Sequence, residues 1–141
     1  EPTLARSLGP VIASIKRDYP EYILSVLTNG SLMTDKGVRE ELLPADRVIP
    51  TLTSVFQPTF ERIHNPHPSL RVHKIIEGFV RFRKMYDGAL WIEVFVIPGV
   101  NTTDAELEGL RAALEQINPD LVQLNTLDRP PAEEWVMAAT E

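Results

Sequence analysis

The sequence predicts an α/β fold, a parallel-stranded partial (β/α) barrel, and three observations carry that prediction. Helix-like and strand-like segments alternate along the chain, with strands starting near residues 22, 47, 90 and 121. Every strand ends in small polar residues: Thr28-Asn29-Gly30-Ser31, Thr51-Leu52-Thr53-Ser54, Pro98-Gly99-Val100-Asn101 and Asn125-Thr126. One face of the strands also carries polar side chains where a sheet covered by helices on both faces would be apolar throughout. Alternation with helical crossovers implies parallel strands and helices packed outside them in right-handed units. The uneven strand spacing excludes a short repeat array and fits successive βα units of a TIM-barrel-like or open sheet, whose working face lies at the strand C-terminal ends.

Each element follows from local chemistry. Leu4, Leu8, Val11, Ile12 and Ile15 recur at helical spacing between Leu4 and Asp18, behind Thr3 as N-cap. Gly9-Pro10 interrupts this run, so the main helix is expected to start with Pro10 at its first position. Tyr22 to Leu27 is β-prone and ends at Asn29-Gly30. Lys36 to Leu43 reads as a helix capped by Thr34 and Asp35 and stopped by Pro44. Arg47 to Leu52 is the second strand, kept short by Pro50, which cannot donate to a ladder. Gln57 to Ile63 makes one or two helical turns. Ser69 is then expected to cap a longer helix with Leu70, Val72, Ile75, Ile76, Phe79, Val80 and Phe82 on its core face. Leu90 to Ile97 is the strongest strand, mostly β-branched or aromatic. Asp104 is expected to cap a helix carrying Leu107, Leu110, Leu114 and Ile117 inward, Leu121 to Asn125 is the fourth strand, and Pro130-Pro131 lead into a final helix over Ala132 to Ala139.

Composition narrows the function classes. The chain has 141 residues, one domain's worth, and a net charge of −6, which argues against a nucleic-acid surface as its main business. The Arg81-Phe82-Arg83-Lys84 run reads as the solvated face of an amphipathic helix. No apolar run approaches the ~18–20 residues of a membrane span, no signal peptide opens the chain, and a cytoplasmic protein is the default expectation. There is no cysteine, hence no disulfide, thiol nucleophile or thiolate metal ligand within this chain. His64, His67 and His73 fall around a proline-punctuated stretch that reads as an exposed loop rather than a metal site.

Side-chain alternation sorts the strand faces. Ile92, Val94 and Val96 form an aliphatic face suited to covering helices, and Trp91, Glu93 and Phe95 point the other way. Val122 and Leu124 oppose Gln123 and Asn125, and Thr51 and Thr53 oppose Val48 and Leu52. A mid-strand carboxylate is costly to bury without a partner or water. The face bearing Glu93, Gln123, Asn125, Thr51 and Thr53 is therefore expected to look into a polar hollow, as in the upper half of a barrel.

These residues, taken in order, resemble the radical S-adenosylmethionine (radical SAM) superfamily. Glu1-Pro2-Thr3 resembles the tail of its Gly-Glu-Pro motif, Leu27-Thr28-Asn29-Gly30 its next strand end, and Pro50-Thr51-Leu52-Thr53-Ser54 its ribose-contacting strand end. Val96-Ile97-Pro98-Gly99-Val100-Asn101 is similar to its fifth-strand exit and Val122-Gln123-Leu124-Asn125-Thr126 to its sixth strand. Asn65-Pro66-His67-Pro68-Ser69-Leu70 and Arg129-Pro130-Pro131-Ala132-Glu133-Glu134-Trp135 resemble the Fe-S oxidoreductase branch related to the wyosine-forming, tRNA-modifying enzymes. The resemblance implies a partial (β/α)6 barrel of which residues 1–141 form one domain, from the end of strand two through the helix after strand six. It implies that the Glu1 region binds the methionyl amino group of SAM, with Asn29 at the neighbouring strand end. It puts Thr51 and Thr53 near ribose and carboxylate, has Glu93 facing the cofactor, and has Gln123 and Asn125 flanking adenine. The implied partners are SAM, an electron donor for the parent enzyme and a substrate class that includes RNA. A 4Fe-4S cluster belongs to the parent, where it cleaves SAM to a 5′-deoxyadenosyl radical.

Two departures qualify the resemblance. The superfamily commonly carries an acidic residue where Thr53 stands, and its Cys-x3-Cys-x2-Cys loop has no counterpart here. The chain is therefore expected to be a fragment truncated at its N-terminal side, unable to bind the cluster itself, with an open sheet edge that promotes self-association. A rival reading is a non-catalytic α/β binding or structural module. An aldolase-like barrel would need a lysine at a strand end, and Lys16, Lys36, Lys74 and Lys84 all fall on or beside helices.

Overall fold

A computed structural model describes residues 1–139. Four strands, β1 (Ser25–Thr28), β2 (Arg47–Pro50), β3 (Ala89–Phe95) and β4 (Leu121–Asn125), form an all-parallel sheet in the order β1-β2-β3-β4. Among the described residues five α-helices accompany them: α1 (Leu8–Asp18) before β1, then α2 (Lys36–Leu42), α3 (Gln57–His64), α4 (Val72–Arg83) and α5 (Asp104–Ile117) between the strands. Strand order that follows chain order is the singly wound arrangement of a barrel; a doubly wound sheet reverses direction at a switch point. The architecture is the expected α/β partial barrel.

The core lies between the helices and one face of the sheet. Val26, Val48, Leu90, Ile92 and Val94 point outward into a cluster with Ile12, Leu42, Phe79, Phe82, Leu110 and Ile117. The alternation expected along β3 appears as strictly alternating burial, with Leu90, Ile92 and Val94 buried and Trp91, Glu93 and Phe95 half-buried. No such apolar layer covers the inward face, where Leu27 of β1 is 59% exposed.

Several local expectations are corrected. The first turn is a separate 3-10 segment, Pro2–Leu4, and α1 starts at Leu8, so Pro10 lies inside its first turn, where no N–H is needed. Asp35 does cap α2, accepting from the Gly37 and Val38 amides. Ser69 does not cap α4: its hydroxyl bonds His67 Nδ1, and the Val72 amide donates to Gln57 Oε1 at 2.9 Å. Thr103, not Asp104, caps α5 by accepting from the Glu106 amide. Residues 132–139 form bends, a turn and irregular chain rather than a helix. Here the Arg62 guanidinium lies 4.6 Å over the Trp135 ring, and the Ala139 amide donates to Thr126 Oγ1 at 2.7 Å. Among the described residues, no helix is long and apolar enough to cross a membrane.

Candidate functional site

Strand register assembles the polar row. Thr51 bridges Glu93, and Glu93 pairs with Gln123, so three strands bring their polar side chains side by side on the inward face. One step toward the C-terminal ends, Phe95 pairs with Asn125, whose Oδ1 accepts from Gln123 Nε2 at 3.1 Å. Glu93, Gln123 and Asn125 are all half-buried. Among the described residues Glu93 makes no ion pair, and Arg47 of β2 stacks 3.8 Å over Trp91 of β3. An unpaired carboxylate facing the hollow of a sheet remains available to a cationic or hydroxyl-bearing ligand.

Thr53 stands beyond this row, only 1% exposed, with its hydroxyl 2.5 Å from His64 Nε2. His64 corrects the expectation of an exposed histidine loop. It closes α3, its ring lies 5.1 Å from Phe60, and burial pushes its pKa below the usual 6.5. The imidazole is therefore neutral at pH 7. His67 and His73 are exposed, as expected. Among the described residues no group of histidine, aspartate and glutamate could hold a metal ion.

The strand ends are pinned by Asn101, which the sequence reading placed in a strand exit without giving it a task. It is 2% exposed; its Nδ2 donates to the Thr53 and Phe95 carbonyls at 2.9 and 2.7 Å, and its Oδ1 accepts from the Ile97 amide at 2.8 Å. One carboxamide thus ties the ends of β2 and β3 together beneath the site. Ser54 adds a second tie, donating to buried Glu106 of α5 at 2.8 Å. A cavity of about 330 Å3 opens above, between Thr53, His64, Phe95, Ile97 and Trp135.

Glu1 spends its carboxylate on the neighbouring strand end. Oε1 accepts from the Thr3 amide and hydroxyl at 3.0 and 2.6 Å and from the Thr28 hydroxyl at 2.7 Å, while Oε2 accepts from the Asn29 amide at 2.6 Å. Partial burial pushes its pKa up, but the hydrogen bonds from Thr3, Asn29 and Thr28 outweigh it and leave the carboxyl below its usual 4.5. A depressed carboxyl contributes stability above its unfolded-state pKa and loses it as pH falls through the folded value. Glu1→Gln should therefore lower the urea midpoint at pH 7, with the gap to the parent protein closing below the ordinary value of 4.5. A gap that stays constant from pH 7 to pH 3 would rule out the charged network.

No family model matches the chain. It is 35% identical over 143 aligned residues to a protein of Brachyspira hyodysenteriae named GTPase Obg, covering 100% of this chain and 21% of that protein. It is 39% identical over 130 residues to a UPF0026 protein of Helicobacter pylori and 32% identical over 136 residues to one of Methanocaldococcus jannaschii. These cover 92% and 96% of this chain but 42% of each relative, so the chain spans less than half the length of the proteins it matches. In structure it is similar to a domain of a pyruvate-formate lyase-activating enzyme from Bacteroides vulgatus, with a TM-score of 0.69, 17% identity, and coverage of 100% of this chain and 81% of that one. At that identity the likeness establishes the fold.

Proposed function

We propose that this chain is the SAM-binding part of a radical SAM enzyme barrel, and that its inward polar row holds the cofactor. The observation that carries this reading is the register that sets Thr51, Glu93 and Gln123 abreast, with Asn125 one step above, on a face free of covering helices. The fold likeness to a pyruvate-formate lyase-activating enzyme, itself a radical SAM protein, supports it. The residues present suit SAM: hydroxyls and carboxamides for ribose and adenine edges, and an unpaired carboxylate for a hydroxyl or ammonium. Once bound, SAM would supply the radical chemistry. The chain's own part is to bind and orient it, with Asn101 and Ser54 holding the strand ends in place. Glu1 would act through its hold on Thr28 and Asn29, since both its oxygens already accept from the protein.

The iron–sulfur cluster does not fit this chain, which has no cysteine. Its ligands, the electron donor and the substrate, RNA included, belong to the whole protein and remain outside the reading of these residues. The GTPase name of one relative brings no phosphate loop with it, because this chain has no Gly-x4-Gly-Lys-Ser/Thr run. Calorimetric titration of the intact protein with SAM tests the proposal. Glu93→Leu should weaken binding about tenfold, the equivalent of ~1.4 kcal/mol, without lowering the melting temperature. Unchanged affinity in that variant would remove the row from the cofactor site.

A further inference from the structure

A second cavity, of about 260 Å3, lies on the other side of His64 from the one roofed by Trp135. Its polar lining comes from Asn29 and Ser31 at the end of β1 and from His64, Asn65 and His67 at the end of α3. No carboxylate lines it, although the chain carries 20 acidic residues against 14 basic ones. The Glu1 carboxylate is the nearest acid traced through hydrogen bonds, and it is turned to the Asn29 backbone with both oxygens engaged.

The hydrogen-bond network sets the polarity of this lining. Asn29 Oδ1 already accepts from the Ser31 amide at 2.9 Å, which leaves the Asn29 side-chain NH2 as the free end. His67 Nδ1 accepts from the Ser69 amide at 3.3 Å and lies 2.8 Å from the Ser69 hydroxyl, which leaves Nε2 as the ring's N–H, without a partner among the described residues. The Ser31 hydroxyl and the Asn65 carboxamide are likewise without side-chain partners among the described residues, and His64 is engaged only through Nε2. Donors predominate in a pocket without acids, and its volume suits a small group rather than a nucleotide.

We propose that this cavity is an oxyanion site, taking the phosphate or carboxylate group of a small ligand through Asn29, Ser31 and His67. It goes beyond the SAM reading and shares only Asn29 with the residues that reading names; the Thr51–Glu93–Gln123 row contributes nothing to its lining. His64 stands between the two cavities, with Thr53 on its inner side. The test is an NMR titration of the labelled intact protein with inorganic phosphate and, separately, with acetate at constant ionic strength, read at the His67 imidazole and Asn29 carboxamide signals. Saturable shifts at both residues are expected, with the tighter of the two anions identifying the headgroup. His67→Phe should weaken the response at Asn29 at least tenfold, and His67→Gln, which keeps a side-chain N–H donor, should restore part of it. Shifts that fail to saturate, that persist unchanged in His67→Phe, or that vanish when SAM is added would overturn the proposal. Absence of SAM binding would leave this titration unaffected, so the two readings fail separately.

Discussion

Asn101→Leu is expected to destabilise the protein by about 3–9 kcal/mol, because two buried groups and one part-buried group lose their partners and each such loss costs ~1–3 kcal/mol. The groups are the Thr53 and Phe95 carbonyls and the Ile97 amide, all served by one carboxamide that is 2% exposed. Leucine keeps the branched four-atom skeleton of the side chain while removing its donors and acceptor, so lost hydrogen bonding is the main effect. Against a typical domain stability of ~5–15 kcal/mol, the change should shift the urea midpoint far outside experimental error. Asn101→Asp should be no milder: it keeps an acceptor for the Ile97 amide but turns a carboxylate oxygen on two carbonyls. A loss below about 1 kcal/mol for Asn101→Leu would mean that the strand ends are held by something other than this clasp.

The second large effect is expected at Gly30, in the turn that leaves β1. Its φ of +71° lies in the left-handed region, and a Cβ there would run into the ring of Phe79, which is fully buried. Gly30→Ala should cost about 2–5 kcal/mol, the sum of the backbone strain and of overpacking against a ring with no room to retreat. Gly99 provides the control. It has a nearly equal φ of +73° but nothing within 4 Å of the added Cβ, so Gly99→Ala should show only the backbone share, about 1 kcal/mol. Equal losses at the two glycines, measured by urea denaturation, would refute the role given to Phe79. Since Gly30 follows Asn29 directly, this turn also sets where the Asn29 side chain stands in the lining of the smaller cavity.

The elements with strong periodicity were legible in the sequence. Leu121 to Asn125 is read as a strand and found as one, because it is short, apolar and bounded by Pro119 and a polar exit. The inward placement of Glu93 and Gln123 follows from a period of two, and register does the rest once the strands are parallel. His64 was obscured by its neighbours: Pro66 and Pro68 suggest a loop, yet one more residue on α3 puts His64 a turn after buried Phe60, on the same side of the helix. That i, i+4 relation was the available signal. The stretch 132–139 misled in the opposite sense. Pro131 is well placed to start a helix, but the segment runs through bends and a turn, where Arg62 stacks on Trp135. Ser69 and Asp104 failed as caps because tertiary or adjacent partners, Gln57 and Thr103, reached the same amides first.

Side-chain amide NMR of the intact protein reads directly whether the inward row is the cofactor surface. On titration with SAM, the carboxamide signals of Gln123 and Asn125 should shift saturably and together, while that of Gln116, exposed on α5, should stay where it is. Shifts at Gln116 with Gln123 and Asn125 unmoved would contradict the account.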